Sequence, residues 1–188
     1  MAVNRGKEFE KVVQGGIEKV QGASIDRLHD QTTGFAGSSN ICDFIVYKYP
    51  FQLYIECKTV HGNTLSIHSV PKPDKHGKLH GFYGNITDTQ WEGLYKKAQI
   101  EGVMAGILCW WVDKDVTMFI PIELVLAERN MGNKSIRYDF KHGMVIMGKD
   151  IQVHKSLTPI VLTGEKKRVF FNYDMESFLK EVDNALRH

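Results

Sequence analysis

Apolar and polar positions along this chain change period several times, and each change marks an element. From 5 to 21 the apolar residues Phe9, Val12, Val13, Ile17 and Val20 recur at helical spacing behind Asn4, a good capping residue. The Gly15-Gly16 pair weakens that helix by about 1 kcal/mol per glycine relative to alanine. Residues 24 to 29 alternate like a strand, and 30 to 40 form a loop of turn-favouring residues. Two apolar strands follow between Asp43 and Lys58, joined by a short turn. Residues 61 to 85 are polar and carry Pro71, Pro73 and four histidines, which predicts a long loop with some extended structure. Thr87-Asp88-Thr89-Gln90 has the form of a capping box and opens a helix over 88 to 101 that packs Trp91, Leu94, Tyr95 and Ala98. Val103 to Trp111 is apolar throughout and reads as a central strand. Asp113-Lys114-Asp115 turns the chain, Val116 to Ile120 returns, and Pro121 starts a helix running to about Arg129. From 134 to Tyr173 the pattern is alternating and turn-rich. Asp174 then caps a last helix holding Phe178, Leu179, Val182, Ala185 and Leu186.

This order predicts an α/β fold, a central mixed β-sheet flanked by helices, with a β-rich C-terminal extension. The core would span 1 to 130. Residues 131 to 188 would belong to the same domain or supply a dimer interface. A chain of 188 residues suits one domain. At 43% hydrophobic and 24% charged it has the ordinary composition of a soluble globular protein. No apolar run is long enough for a membrane helix, and the N-terminus has no apolar signal region. The expectation is a cytoplasmic protein of a bacterial or phage-infected cell. Cys42, Cys57 and Cys109 show no Cys-x-x-Cys spacing, which argues against a zinc site or disulfide framework. His61, His68, His76 and His80 match no metal-binding spacing. The net charge of +2 does not decide for nucleic acid, because affinity depends on local basic patches.

The chemistry is concentrated in residues 43 to 58. A turn centred on Tyr49-Pro50 sets Lys48 opposite Phe51, so opposed residue numbers add to a constant and Asp43 falls opposite Glu56. Tyr-Pro fits a tight primed turn poorly, which favours a four-residue loop from Lys48 to Phe51. Opposed side chains have Cβ atoms about 5 Å apart, and two carboxylates that close repel unless a cation lies between them. Alternation puts Tyr54, Glu56 and Lys58 on one face of the second strand, and Leu53, Ile55 and Cys57 on an apolar face. The polar trio is suited to a hard divalent cation with an ammonium beside it, and so to phosphodiester hydrolysis. A surface salt-bridge hairpin is the alternative. Glu-x-Lys arises about once by chance in a chain of this size. A second copy, Glu165-Lys166-Lys167, falls in what reads as a polar turn. Asp139-Phe140-Lys141 has no acidic strand to pair with it. Only Asp43 and Glu56-Cys57-Lys58 lie on consecutive apolar strands. Glu10 sits at the border of the first helix's apolar stripe, where a carboxylate can face a cleft.

The arrangement resembles the PD-(D/E)xK nuclease superfamily, and more specifically the RecU-like Holliday junction resolvases. Gly6-Lys7-Glu8-Phe9-Glu10 looks like that family's Gly-x-x-Phe-Glu helix. Asp43 and Glu56-x-Lys58 look like its metal-binding core. Ile86-Thr87-Asp88-Thr89-Gln90 looks like the helix start carrying its glutamine. The likeness covers roughly 4 to 125 in the right order. The stretch 29 to 42 is short where RecU proteins carry a stalk, and the motif opens Ile41-Cys42-Asp43 without proline. The resemblance implies a metal-dependent, structure-selective DNA endonuclease. Asp43, Glu56, the Cys57 backbone carbonyl and Glu10 would hold Mg2+ or Mn2+. Lys58 would act on the attacking water, Gln90 would position Lys58 or the water, and the nick would carry a 5′-phosphate. The partners implied are branched or duplex DNA and a second copy in a homodimer, with no membrane. Arg27, Lys72, Lys75 and Lys78 are candidate phosphate contacts, and ordinary solvated charges are the alternative for each. A DNase of the same fold with a restriction or replication-associated substrate, and a non-catalytic DNA-binding protein, are the other functions open to this sequence.

Overall fold

The computed structural model describes residues 4–28, 40–67, 71–73, 76–77, 79–82, 85–147, 153–168 and 170–187. The chain runs α1 (Arg5–Ile17), β1 (Ala23–Arg27), β2 (Phe44–Lys48), β3 (Phe51–Val60), β4 (Thr64–Ser66), β5 (Pro71–Pro73), β6 (Leu79–Phe82), α2 (Asp88–Ala98), β7 (Val103–Trp111), β8 (Val116–Pro121), α3 (Ile122–Asn130), β9 (Ser135–Arg137), β10 (Met144–Met147), β11 (Val153–Leu157), β12 (Ile160–Val161), β13 (Gly164–Lys166), β14 (Phe171–Tyr173) and α4 (Met175–Arg187). Six strands form one sheet in the order β1-β2-β3-β7-β8-β12. Its β3–β7 pair is parallel and the others are antiparallel. The expected α/β architecture, a mixed sheet flanked by helices, is what the chain adopts.

The sheet is covered on both faces, and this explains its sequence. All nine residues of β7 are buried, as expected of a strand with helices on each side. Phe9 of α1 lies between Trp110 of β7, at 5.9 Å, and Tyr173 of β14, at 6.3 Å. Phe178 of α4 packs edge-on against Phe119 of β8 at 5.7 Å. On the other face α2 and α3 pack on β7 and on each other. Met175, Phe178, Leu179 and Val182 therefore belong to the same buried cluster as Phe9, Ile55 and Trp110. No helix among the described residues is long and apolar enough to cross a membrane.

Several expectations are refined. The Asn4 side chain caps α1 by accepting from the Lys7 N–H at 3.3 Å, as its position suggests. The helix ends at Ile17 rather than 21, where the Lys19 and Val20 N–H groups turn to carbonyls three residues back, Gly16 O and Ile17 O at 3.3 and 2.9 Å; Gly22, at φ 74°, then leads into β1. Gly16 admits α4: a Cβ there would lie 2.9 Å from Met175 Cγ. The β2–β3 register pairs Lys48 with Phe51 and Phe44 with Ile55, the alignment expected. The connection is two residues, Tyr49 and Pro50, rather than four, because Lys48 and Phe51 are themselves paired. Pro121 closes β8 and caps α3 instead of being its first residue. The stretch 61 to 85 is less of a loop than its polarity implies. β4 pairs with β9, and Leu65 and Ile67 are buried, because two apolar residues suffice to anchor a strand on the core. Glu165 stands in β13 rather than in a turn. Gly164 makes this possible, with a Cβ position only 2.5 Å from Asn172 O on β14.

Two glycines give opposite expectations. At Gly106 of β7 a Cβ would collide with the Ile120 carbonyl oxygen and come within 2.6 Å of Phe119 Cζ. Gly106→Ala should therefore cost about 1–3 kcal/mol as an overpacking substitution. At Gly15 a Cβ meets nothing within 4 Å outside its own helix, so Gly15→Ala should gain about 0.5–1 kcal/mol. Urea unfolding of the two variants beside the parent checks both signs.

Candidate active site

The first turn of α2 builds the site. Thr87 Oγ1 accepts from the Gln90 N–H at 3.2 Å, and Gln90 Oε1 accepts from the Thr87 N–H at 3.1 Å, which completes the capping box. This reciprocal pair uses the oxygen of the Gln90 amide and leaves its Nε2 free to point at the sheet. Nε2 donates to Glu56 Oε1 at 2.5 Å. Lys58 Nζ donates to the same oxygen at 2.6 Å. Gly93, one turn on, sits against Ile41, where any Cβ would clash with the isoleucine side chain. α2 thus lies close over the start of β2.

Alternation along β3 puts Glu56 and Lys58 under α2, and Cys57 and Thr59 toward α1. Gly6 of α1 agrees with this, its Cβ position lying 3.8 Å from Thr59 Oγ1. The face expected to be merely polar is therefore covered as well. Glu56 is only 2% exposed, because Gln90 and the body of α2 lie on it. Asp43 precedes β2, its N–H donating to Ile55 O at 3.0 Å. Its Oδ2 accepts from the Cys57 N–H at 2.7 Å, which fixes the carboxylate at the edge of β3.

Burial pushes the Glu56 carboxyl up to about 7 from its ordinary 4.5. The Lys58 ammonium pulls it down and Asp43 pushes it up, with the Lys58 and Gln90 hydrogen bonds opposing the rise. The desolvated carboxylate has both donors on Oε1. Its Oε2 is buried, with no hydrogen-bond partner among the described residues. A bare, buried carboxylate oxygen beside a second carboxylate fits a hard divalent cation, which takes oxygen ligands. The thiols are not part of this chemistry. Cys42, Cys57 and Cys109 are all buried, and burial raises each well above the ordinary thiol value.

The structure brings Asp43, Glu56, Lys58 and Gln90 together. It holds Glu10 separately, in an ion pair with Arg27, which also lies 5.9 Å from the Phe44 ring. Glu10 is near enough to raise the Cys57 thiol electrostatically. Even so, among the described residues no group of three or more His, Cys, Asp or Glu side chains is placed to hold a metal. Lys72 is on β5; Lys75 and Lys78 lie outside the described residues, as does most of the 30 to 40 loop. His61 pairs with Asp113 at 3.0 Å, and Asp113 also accepts from the Gly62 N–H at 2.7 Å. No spacing signals that contact, since it joins the ends of β3 and β7 across the crossover.

No model of a known protein family matches this chain, and no curated protein matches it. Among solved structures the chain is similar to Hjc, a Holliday junction resolvase of the hyperthermophilic archaeon Archaeoglobus fulgidus. The two are 18% identical over 63% of this chain and 78% of that one, with a TM-score of 0.38. A likeness that low supports neither a shared activity nor shared site residues.

The raised carboxyl has a stability consequence. Between about pH 4.5 and 7 the folded, metal-free chain keeps a proton on Glu56 that the unfolded chain has released. Stability should therefore fall as pH rises through that window. Glu56→Gln should remove this dependence and, in EDTA above pH 7, stabilise the protein by up to about 3 kcal/mol. Thermal melts from pH 4.5 to 8 check this; a variant less stable than its parent at pH 8 would contradict it.

Proposed function

We propose that this protein is a metal-dependent, structure-selective DNA endonuclease, with a Holliday junction as its substrate and a homodimer as its working form. What carries the reading is the buried Glu56 carboxylate beside Asp43, with one oxygen held by Lys58 and Gln90 and the other without a partner among the described residues. Such a carboxylate weakens the fold, and a cation-binding role accounts for its being there.

Asp43 and Glu56 would hold magnesium or manganese, with the Cys57 backbone carbonyl as a further oxygen. Glu10 would contribute after exchanging Arg27, or through water. When bound, such a cation supplies a lowered water pKa and offsets charge on the phosphate. The chain's own residues do the rest. The Cys57 N–H fixes the Asp43 carboxylate. Gln90 and Lys58 take one oxygen of Glu56 and so turn the other toward the reaction centre. Lys58, with its side chain 22% exposed, stands at the mouth of the site. There it orients the attacking water and neutralises charge building on the phosphoryl oxygens. Attack puts the water oxygen on phosphorus and breaks the bond to the 3′ oxygen, leaving a 5′-phosphate and a 3′-hydroxyl. A junction has two strands to cut symmetrically, so the reading calls for two sites in a dimer. Residues 131 to 188 are read as part of the same domain, since α4 and β14 complete the core.

Cleavage of a labelled four-way junction beside linear duplex of the same sequence tests the proposal, with magnesium, with EDTA and with Lys58→Ala. Paired nicks near the crossover are expected, absent in EDTA and slowed roughly 10²–10⁴-fold by the substitution. Equal cutting of both substrates would keep the nuclease and remove the junction preference. No cutting with any divalent cation would leave a DNA-binding protein.

A further inference from the structure

α1 contains a glycine that its packing does not require. Gly16 is accounted for by the close approach of Met175, but Gly15 faces open space. A glycine inside a helix costs about 1 kcal/mol against alanine, so an unpacked one calls for another reason. Gly15 lies in a cavity of about 500 Å³ between α1 and the β13–β14 hairpin. Lys11 and Lys19, one turn to either side, line it together with Lys167, and Phe171 and Tyr173 complete its far wall. Phe171 is half-buried and stacks on Tyr173 with ring centres 5.5 Å apart.

The chemistry of this groove is cationic and aromatic. Among the described residues Lys19 has no side-chain hydrogen-bond or ion-pair partner. Lys11 and Lys167 are paired with Glu8 and Glu165 at 2.9 and 2.6 Å. Those pairs are exposed, worth at most about 1 kcal/mol, and a phosphate can displace them. At about 500 Å³ the groove is in the range of small-ligand pockets, roughly 300–1,000 Å³. It admits a nucleotide or two of a single strand but not a duplex. Lysines for phosphates, a ring for a base and a bare stretch of helix between them are the elements of a single-strand platform. With about 100° per residue, Val12, Gly15 and Lys19 lie on the side of α1 opposite Glu10, so the groove is distinct from the Glu56 site.

We propose that the groove lined by Lys11, Gly15, Lys19, Lys167 and Phe171 binds an unpaired segment of nucleic acid. This rests on the nuclease reading for its context and narrows the substrate to DNA with a single-stranded portion. Gly15 has no side chain so that the strand can lie against the helix.

The test is fluorescence anisotropy of the full chain with a labelled 15-nucleotide single strand and with blunt duplex, in EDTA so that nothing is cut. Single-strand binding is expected to weaken roughly 5- to 100-fold in Phe171→Leu, which keeps the apolar packing and removes the ring. Lys19→Ala should reduce the salt slope by about 0.7. Gly15→Leu should weaken single-strand binding while raising the melting temperature. Folding of each variant is checked by circular dichroism. Unchanged single-strand affinity and salt slope in all three folded variants would overturn the groove. Cleavage is scored separately. A chain that cuts DNA with an indifferent groove refutes only this inference, whereas loss of binding in a chain that never cuts refutes only the nuclease.

Discussion

A parallel strand pair cannot be closed by a hairpin, and most of this structure follows from that. β3 and β7 run side by side in parallel from Gln52 with Val103 to Val60 with Trp111. The chain must therefore cross back over the sheet between them. The crossover carries α2, which lands on the face of β3 that bears Glu56 and Lys58. Had β3 been followed by another hairpin strand, Glu56 would have been an exposed residue with nothing to hold. The crossover both buries the carboxylate and brings Gln90 to it.

That burial creates a conflict within the fold. A carboxylate shut away from water favours its protonated form, and the Lys58 and Gln90 hydrogen bonds answer only one of its oxygens. Cores built for stability alone do not keep such a group, since a well-packed apolar residue of similar size is often no worse. The capping box shows how closely local structure and site are joined. The Gln90 side chain serves both the helix start and the carboxylate, so the geometry of α2's first turn is also the geometry of the site. The open flank of α1 repeats the theme, with Gly15 weakening a helix where no packing demands it.

Much of this was legible in the sequence, because its cause is local. The β2–β3 register follows from where Tyr49-Pro50 must turn and from the two-residue period of strands, so Phe44 opposite Ile55 and Lys48 opposite Phe51 needed no tertiary information. The caps Asn4, Thr87 with Gln90, and Asp174 were readable because a capping bond spans three residues. The apolar run from Val103 to Trp111 announced a central strand. What only the tertiary structure decided was which group answers which. Arg27 reads as a solvated cation or phosphate contact, yet the pairing of β1 with β2 beside α1 binds it to Glu10. Glu56 reads as half of a polar face, yet the crossover buries it. Leu65 and Ile67 read as parts of a polar loop, yet β9, far along the chain, makes them core. Spacing along a chain fixes what lies within a turn or a hairpin. Desolvation, and with it the state of a carboxylate, depends on elements that arrive from far away in sequence.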